Sequence, residues 1–176
     1  ELKNEKLTVL IKEFGAEIAS VKNAAGREYF WCGDKKFWGG QAPVLFPVCG
    51  KLLNLAFRHK GKTYTMKGHG FARNKTFRAE KIGDTCAVFT LCDDEETRAQ
   101  YPFAFRLSVR YELNGESIVI TNSVENTGDE TMYFNFGSHE AYAADGNFED
   151  WSVEFAKTEN LRVMEQPILG YLSGKT

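Results

Sequence analysis

The most constraining feature of the sequence is an alternation of apolar and polar residues from Phe103 to Leu113. Every second residue in this stretch is apolar, and Arg, Ser and Glu residues occupy positions 106 to 112 between them. A period of two places the apolar side chains on one face of an extended strand. The pattern therefore predicts a long β-strand with one buried face.

The residues that follow predict an antiparallel meander. Asn114-Gly115 supplies residues that accept the positive φ of a tight hairpin turn, and Ser117 to Val124 is interpreted as the returning strand. A second turn cluster begins at Asn126, and Met132 to Phe136 is predicted to form a third strand.

Elsewhere the chain shows more short strands and almost no helix. Leu7 to Ile11 and Ile18 to Val21 are predicted strands, and Tyr29 to Trp31 and Ala87 to Leu91 are short apolar runs. One short helix is predicted, at Glu95 to Gln100. Many short strands with turn residues between them indicate an all-β sandwich or barrel.

Composition excludes several functional classes. Lys and Arg number 22 against 24 Asp and Glu, which leaves a net charge of −2. A non-specific nucleic-acid binder or a basic membrane-surface protein needs an excess of cations, so we expect neither partner. No apolar run is long enough to span a bilayer, and no secretory leader is visible, which favours a cytoplasmic protein.

The cysteine pattern fits the same compartment. The chain has four cysteines, none in a C-x-x-C pair, and reduced thiols are the favoured interpretation, with a secreted protein holding two disulfides as the alternative. The three histidines share no ligand spacing with these cysteines, so no zinc site is expected.

Three segments, residues 38–52, 68–73 and 137–142, depart from strand alternation. Pro43 and Pro47 disfavour a central strand in the first of them. His69 lies between two glycines and His139 follows a predicted strand, so both are candidates for acid–base chemistry, with capping or core hydrogen bonding as the competing interpretation. His59 is interpreted as a solvated turn residue.

One apparent motif is rejected. The C-terminal Ser173-Gly174-Lys175-Thr176 suggests a phosphate-binding loop, but that motif needs glycine where this chain has Leu169.

Four motifs in order support a family resemblance. Ala42 to Leu52 matches A-P-V-L-F-P-x-x-G-[RK]-L, and His69 to Arg73 reads H-G-F-A-R. Tyr101 to Leu113 matches Y-P-F-x-F-x-L-x-V-x-Y-x-L, and Gly137 to His139 matches G-x-H. In these motifs the chain resembles the aldose 1-epimerase (galactose mutarotase-like) family, in particular its bacterial LacX-type branch.

The resemblance implies a fold and a reaction. The expected fold is an antiparallel β-supersandwich with an open sugar-binding cleft, with residues 1–176 as a single domain that lacks the C-terminal part of the family fold. The expected reaction interconverts the α and β anomers of a hexose by ring opening, which needs an acid and a base but no metal or organic cofactor. The expected partner is a small-molecule sugar, a hexose or a hexose phosphate.

The resemblance also implies roles for individual residues. His139 matches the family's general acid for the ring oxygen, and His69 matches the histidine that binds and orients the sugar. Polar contacts to sugar hydroxyls or a phosphate are expected from Arg73 and Lys51. An apolar face for the sugar ring is expected from Phe71 or Trp38.

Two residues depart from the family pattern. Lys51 replaces an arginine found in many relatives, and Glu140 replaces a proline that commonly follows the acid. The family's general base is a glutamate expected beyond Thr176, so we expect this chain alone to be inactive. Glu149, Asp150 and Glu154 lie in a different motif context and are not assigned that role. A non-catalytic carbohydrate-binding or sensory module, a hexose-6-phosphate 1-epimerase and an all-β interaction domain with a vestigial cleft are the alternatives.

Overall fold

The computed structural model describes residues 1–161. The segment with Leu169 and Ser173–Thr176 lies outside these described residues. Within them the chain is built from antiparallel strands, and the one α-helix is short, which confirms the predicted all-β class. None of the helices in this range is long and apolar enough to cross a membrane.

Two strands of 10 residues each lie in the second half of the chain, after a series of shorter ones. In chain order the elements are β1 (Leu2–Lys3), β2 (Leu7–Ile11), β3 (Ile18–Asn23), β4 (Val44–Leu45), β5 (Ala56–His59), β6 (Lys62–Thr65), β7 (Arg78–Ile82), β8 (Cys86–Cys92), α1 (Glu95–Gln100), β9 (Phe105–Asn114), β10 (Ser117–Asn126) and β11 (Gly137–Ser138). Short 3-10 turns occupy Leu53–Leu55, Ala72–Asn74 and Phe148–Asp150.

Two sheets carry most of the backbone pairing. One has three strands in the order β1-β2-β3, and the other has four in the order β10-β9-β8-β7. The alternating stretch forms β9, whose inward side chains are nearly inaccessible, so the predicted strand is confirmed. Gly115, at φ 58°, provides the left-handed residue of the β9–β10 turn.

The meander continues from β9 toward the N-terminus of the chain, whereas the prediction continued it toward the C-terminus. Strands β7 to β10 form it, whereas the predicted third strand at Met132 to Phe136 is wrong, because this segment enters no ladder. Its backbone makes isolated hydrogen bonds instead. The Asn135 N–H donates to the Pro47 carbonyl (2.9 Å), and the Tyr133 carbonyl accepts from the Tyr101 hydroxyl (2.8 Å). An extended, apolar segment therefore does not become a β-strand unless the edge of another strand is available to pair with it.

An aromatic core joins the sheet to the loops. Phe46, from the loop that follows β4, is fully buried, and its ring centroid lies 5.0 Å from that of Phe105 in β9. Tyr101 and Phe71 complete the cluster at 6.0 and 6.1 Å from Phe46. Each fully buried aromatic side chain contributes about 1.5 to 3 kcal/mol relative to an exposed one, so this cluster anchors the loops to β9.

Helix α1 is stabilised by a capping box. Asp94 accepts from the Thr97 N–H (2.7 Å), and the Thr97 hydroxyl oxygen accepts from the Asp94 N–H (2.8 Å). Lys75 forms ion pairs with Asp94 (3.1 Å) and Glu96 (2.6 Å). Because Lys75 directly follows the turn at Ala72–Asn74, these ion pairs connect the H-G-F-A-R segment to α1.

Candidate active site

The site is assembled from the three segments that depart from strand alternation. Strand β4 pairs with β11, with Leu45 opposite Gly137 and Val44 opposite Ser138. The carbonyl of Phe46 accepts hydrogen bonds from the backbone N–H groups of Phe71 (3.0 Å) and Ala72 (3.1 Å). The first segment is thus the central element, with the His69 segment on one side and the His139 segment on the other.

His69 is held in an uncommon conformation by its backbone and its ring. Its φ is 66°, in the left-handed region that non-glycine residues rarely occupy. Its N–H donates to the Gly50 carbonyl (2.7 Å), and the Gly50 N–H donates to its Nδ1 (3.2 Å). Since Nδ1 accepts, the proton of the neutral imidazole is on Nε2, and among residues 1–161 no acceptor is bonded to that N–H.

His139 is exposed, and its ring lies near that of His69. Its ring centroid is 6.3 Å from that of His69, with the two planes nearly perpendicular at 88°. The indole of Trp38 packs against it at 4.9 Å. The two imidazoles and the indole therefore form one group of neighbouring rings, called the site cluster.

Basic side chains lie next to this site cluster. The Nη2 of Arg73 donates to the Gly68 carbonyl (3.3 Å), while its Nε is buried without a hydrogen-bond partner among the described residues. The aliphatic stem of Lys51 packs against Gly68, where an added Cβ would lie 2.9 Å from Lys51 Cγ. Burial lowers the pKa of His69, and the nearby positive charges of Arg73, His139 and Lys51 lower it further.

Glu140 faces a different part of the molecule from its neighbour His139. It lines two surface cavities, of about 580 and 240 Å³, together with Ile18 and Ile120. Its charge contributes to the raised pKa of Tyr111, which is caused mainly by burial. Successive residues of an extended segment point to opposite sides, so the Glu140 carboxylate does not lie beside the His139 ring.

Five of the six predicted site residues come together, and Phe71 does not. His69, His139 and Trp38 form the site cluster, and the charges of Lys51 and Arg73 act on His69. Phe71 is 5% exposed, and its ring contacts Phe46, Tyr101 and Phe105 in the core. Its role is to anchor the loop, and Trp38 is the aromatic side chain available to a ligand.

The interpretation of His59 as a solvated turn residue is wrong. It ends β5, and its side chain is 20% exposed. Its ring lies 4.8 Å from that of Phe103, and its Nε2 lies 3.3 Å from the Glu130 carboxylate, which also binds Lys60. These contacts bury His59 in a separate aromatic cleft of about 360 Å³.

Sequence patterns assign no role to Gln41, which lies at the centre of a hydrogen-bond network behind the site. Its side chain is buried and bonds to the backbone of Ala19 and Trp31 and to Lys12. The available signal is a polar residue directly before the apolar run that begins at Ala42. Within residues 1–161, no group of three His, Cys, Asp or Glu side chains is arranged to hold a metal ion.

The fold and the site cluster define a mutarotase-like β-protein, and comparisons with known proteins identify its family. The model of the aldose 1-epimerase family matches residues 1–168, so the chain belongs to that family. The chromosomal LacX protein of Lactococcus lactis is 36% identical over 173 residues, which cover 93% of this chain and 58% of that protein.

Two solved structures support the same assignment. The galactose mutarotase related enzyme of Lactobacillus acidophilus is 41% identical with a TM-score of 0.81, over 84% of this chain and 49% of that one. A galactose mutarotase-like protein of Lactobacillus casei is 36% identical with a TM-score of 0.80, over 84% and 51%. The chain thus spans about half the length of these relatives.

Proposed function

We propose that this protein interconverts the α and β anomers of a hexose. The supporting observation is that the ring centroids of His69 and His139 lie 6.3 Å apart, with the Trp38 indole next to His139. A pyranose ring presents an apolar face and several hydroxyl groups, and an aromatic side chain beside two imidazoles matches both features.

The two histidines have different roles in this proposal. His139 protonates the ring oxygen while a base removes the proton of the anomeric hydroxyl, so that the C1–O5 bond breaks and an aldehyde forms. Rotation about C1–C2 and re-closure then give the other anomer, with each proton transferred in reverse. His69, whose lowered pKa favours the neutral ring, donates Nε2–H to a sugar oxygen and orients the substrate.

The general base is not assigned to a described residue. Glu149, Asp150 and Glu154 are all exposed, and none of them is assigned this role. The base in this proposal is a glutamate outside the described residues.

The test is the rate of anomer equilibration by the complete protein, followed by polarimetry or exchange NMR with glucose and galactose. A general acid contributes about 10² to 10⁴ fold, so His139→Ala should lower kcat by that factor. His59→Ala is the matched control, because His59 lies in the separate aromatic cleft. Equal rates for the wild type and His139→Ala would exclude this assignment, and sugar binding without any acceleration would favour a non-catalytic binding module.

A second candidate substrate is a hexose phosphate. Lys51 and Arg73 lie close enough to His69 for their charges to act on it, and the buried Arg73 Nε has no hydrogen-bond partner among the described residues. Guanidinium and ammonium groups bind phosphate through charge-assisted hydrogen bonds. If the substrate carries a phosphate, kcat/KM for glucose 6-phosphate should exceed that for glucose, and Arg73→Met should remove the difference. Arg78→Met, on the exposed strand β7, is the control.

A further inference from the structure

One buried side chain connects the loop-borne residues of the site. Trp38 lies in no ladder, and His139 lies just beyond the two-residue strand β11. Both are nevertheless linked to Gln41, which is 6% exposed. We propose that Gln41 is a positioning residue, which acts on His139 through Ala141 and on Trp38 through Trp31.

Every polar group of the Gln41 side chain is used. Its Nε2 donates to the carbonyls of Ala19 (2.6 Å) and Trp31 (2.7 Å), and its Oε1 accepts from Lys12 Nζ (2.7 Å). Glu17 fixes the backbone at this point, because its Oε1 accepts from the N–H groups of Gln41 (2.6 Å) and Ala42 (3.0 Å). A fully satisfied buried amide specifies one arrangement of the segments that it joins.

The connection to His139 passes through Ala141. The carbonyl of Gln41 accepts from the Ala141 N–H (2.7 Å), and the Ala141 carbonyl accepts from the Trp31 N–H (2.9 Å). Both backbone groups of the residue two positions after His139 are therefore bonded to Gln41 and to its partner Trp31.

The connection to Trp38 passes through the Trp31 side chain. The indole N–H of Trp31 donates to the Trp38 carbonyl (2.8 Å), while the Trp31 carbonyl is held by Gln41 Nε2. The turn between these tryptophans also packs on the Gln41 stem, since a Cβ added at Gly33 would lie 3.2 Å from Gln41 Cγ. The Gln41 amide thus holds Trp31, and Trp31 in turn bonds to Trp38 through its indole and to Ala141 through its backbone N–H. The rings of Trp38 and His139 are 4.9 Å apart.

The test uses signals of the rings themselves. In Gln41→Met, which keeps the length of the side chain but removes its hydrogen bonds, the Trp31 indole N–H should exchange with solvent about tenfold faster or more. The NMR resonances of the His139 ring should shift as the ring current of Trp38 is lost. Thr97→Val is the matched control, because Thr97 is the other buried polar side chain among the described residues and belongs to the cap of α1.

The outcomes distinguish a positioning role of Gln41 from a general contribution to stability. If Gln41→Met and Thr97→Val both lower the thermal midpoint and leave the indole exchange and the His139 resonances unchanged, the proposal is wrong. Should Gln41→Met not fold, Trp31→Phe removes the indole donor and keeps an aromatic ring, and unchanged His139 resonances in that variant would also overturn it. His139 and Trp38 matter for activity only if the proposed function is correct, and in that respect this proposal rests on it. Indole exchange and ring resonances can be measured without turnover, so the positioning role of Gln41 and the proposed function can each fail independently.

Discussion

The four-stranded sheet and the candidate site are built in different ways. In the sheet, β9 pairs along its length with β8 on one side and with β10 on the other, so each residue is restrained by neighbours in a regular ladder. In the site, three segments meet through the two-residue β4–β11 pairing and a few isolated hydrogen bonds, such as those to the Phe46 carbonyl.

The difference has consequences for how each region responds to change. A ladder distributes the loss of one side chain over many contacts, and the alternating pattern of β9 tolerates hydrophobic replacements of similar size. The site depends on specific atoms, because His69 and Gly70 both have positive φ and Gly70 lies directly against the backbone of Phe46. Side-chain losses in the sheet should therefore mainly lower stability, whereas backbone changes in the loops should remove the site.

The largest effect is expected from Gly70→Ala. A Cβ at this position would lie 2.2 Å from the Phe46 carbonyl oxygen, and φ is 68°. Backbone must move to relieve that contact, in addition to the strain of a left-handed alanine, and we expect a loss of at least about 3 kcal/mol in the free energy of unfolding. Denaturant unfolding of the isolated chain measures it.

Gly115→Ala is the matched control for this prediction. Its φ is 58°, but a Cβ there would meet nothing within 4 Å, so only the conformational strain of about 1 kcal/mol remains. Equal losses at positions 70 and 115 would show that the contact with Phe46 is unimportant, and the two regions would then differ less than the structure indicates.

A smaller effect is expected in the sheet from Val109→Ala. Val109 is fully buried in β9, and removal of its two methyl groups should cost about 2 kcal/mol through lost burial and a residual cavity. Because the ladder persists, the NMR resonances of the His69 and His139 rings should not move. Val119→Ala, at a position in β10 that is 46% exposed, should change stability by less than about 0.5 kcal/mol. Ring signals that shift in Val109→Ala would break the proposed separation of the two regions.

The same difference explains how much can be predicted from sequence. Strand β9, the helix at Glu95–Gln100 and the N-terminal strands follow from periodicity and capping, which are local properties. The segment Met132 to Phe136 has equally strand-like composition, but its backbone is used by Pro47 and Tyr101, more than 30 residues away in the chain. A local sequence pattern cannot show whether another strand is available to pair with the segment.

For the site, sequence motifs indicate the segments but not the orientation of each side chain. Phe71 belongs to the H-G-F-A-R motif, and only the packing of four aromatic rings shows that it points into the core. Gln41 belongs to no motif, because its importance comes from partners at Lys12, Ala19 and Trp31, which are close only in the folded chain. Motifs therefore locate the site cluster, while long-range hydrogen bonds define its geometry.

The smallest effect concerns the pH dependence of stability, and it tests the electrostatics of the site against those of the rest of the chain. Burial and the charges of Arg73, His139 and Lys51 place the folded-state pKa of His69 below its ordinary value of 6.5. As pH falls below about 6.5, the unfolded state takes up the proton before the folded state does, so stability is lost from that pH down to the folded-state pKa. The lowered pKa values of Glu28 and Asp94 act in the same direction, but only below pH 4.5.

Urea unfolding between pH 5 and 8 measures this dependence in the wild type and in His69→Asn. Asparagine accepts a positive φ more readily than most residues and does not titrate, so the variant should retain the loop and show a smaller decrease in stability toward pH 5. The change should be confined to the window below about pH 6.5, where His69 titrates. If the wild type and His69→Asn lose stability in parallel between pH 6.5 and 5, His69 is not held neutral by its basic neighbours. The surroundings of His69 would then be less positively charged than the positions of Lys51 and Arg73 indicate. That result would also weaken the case for a phosphorylated sugar.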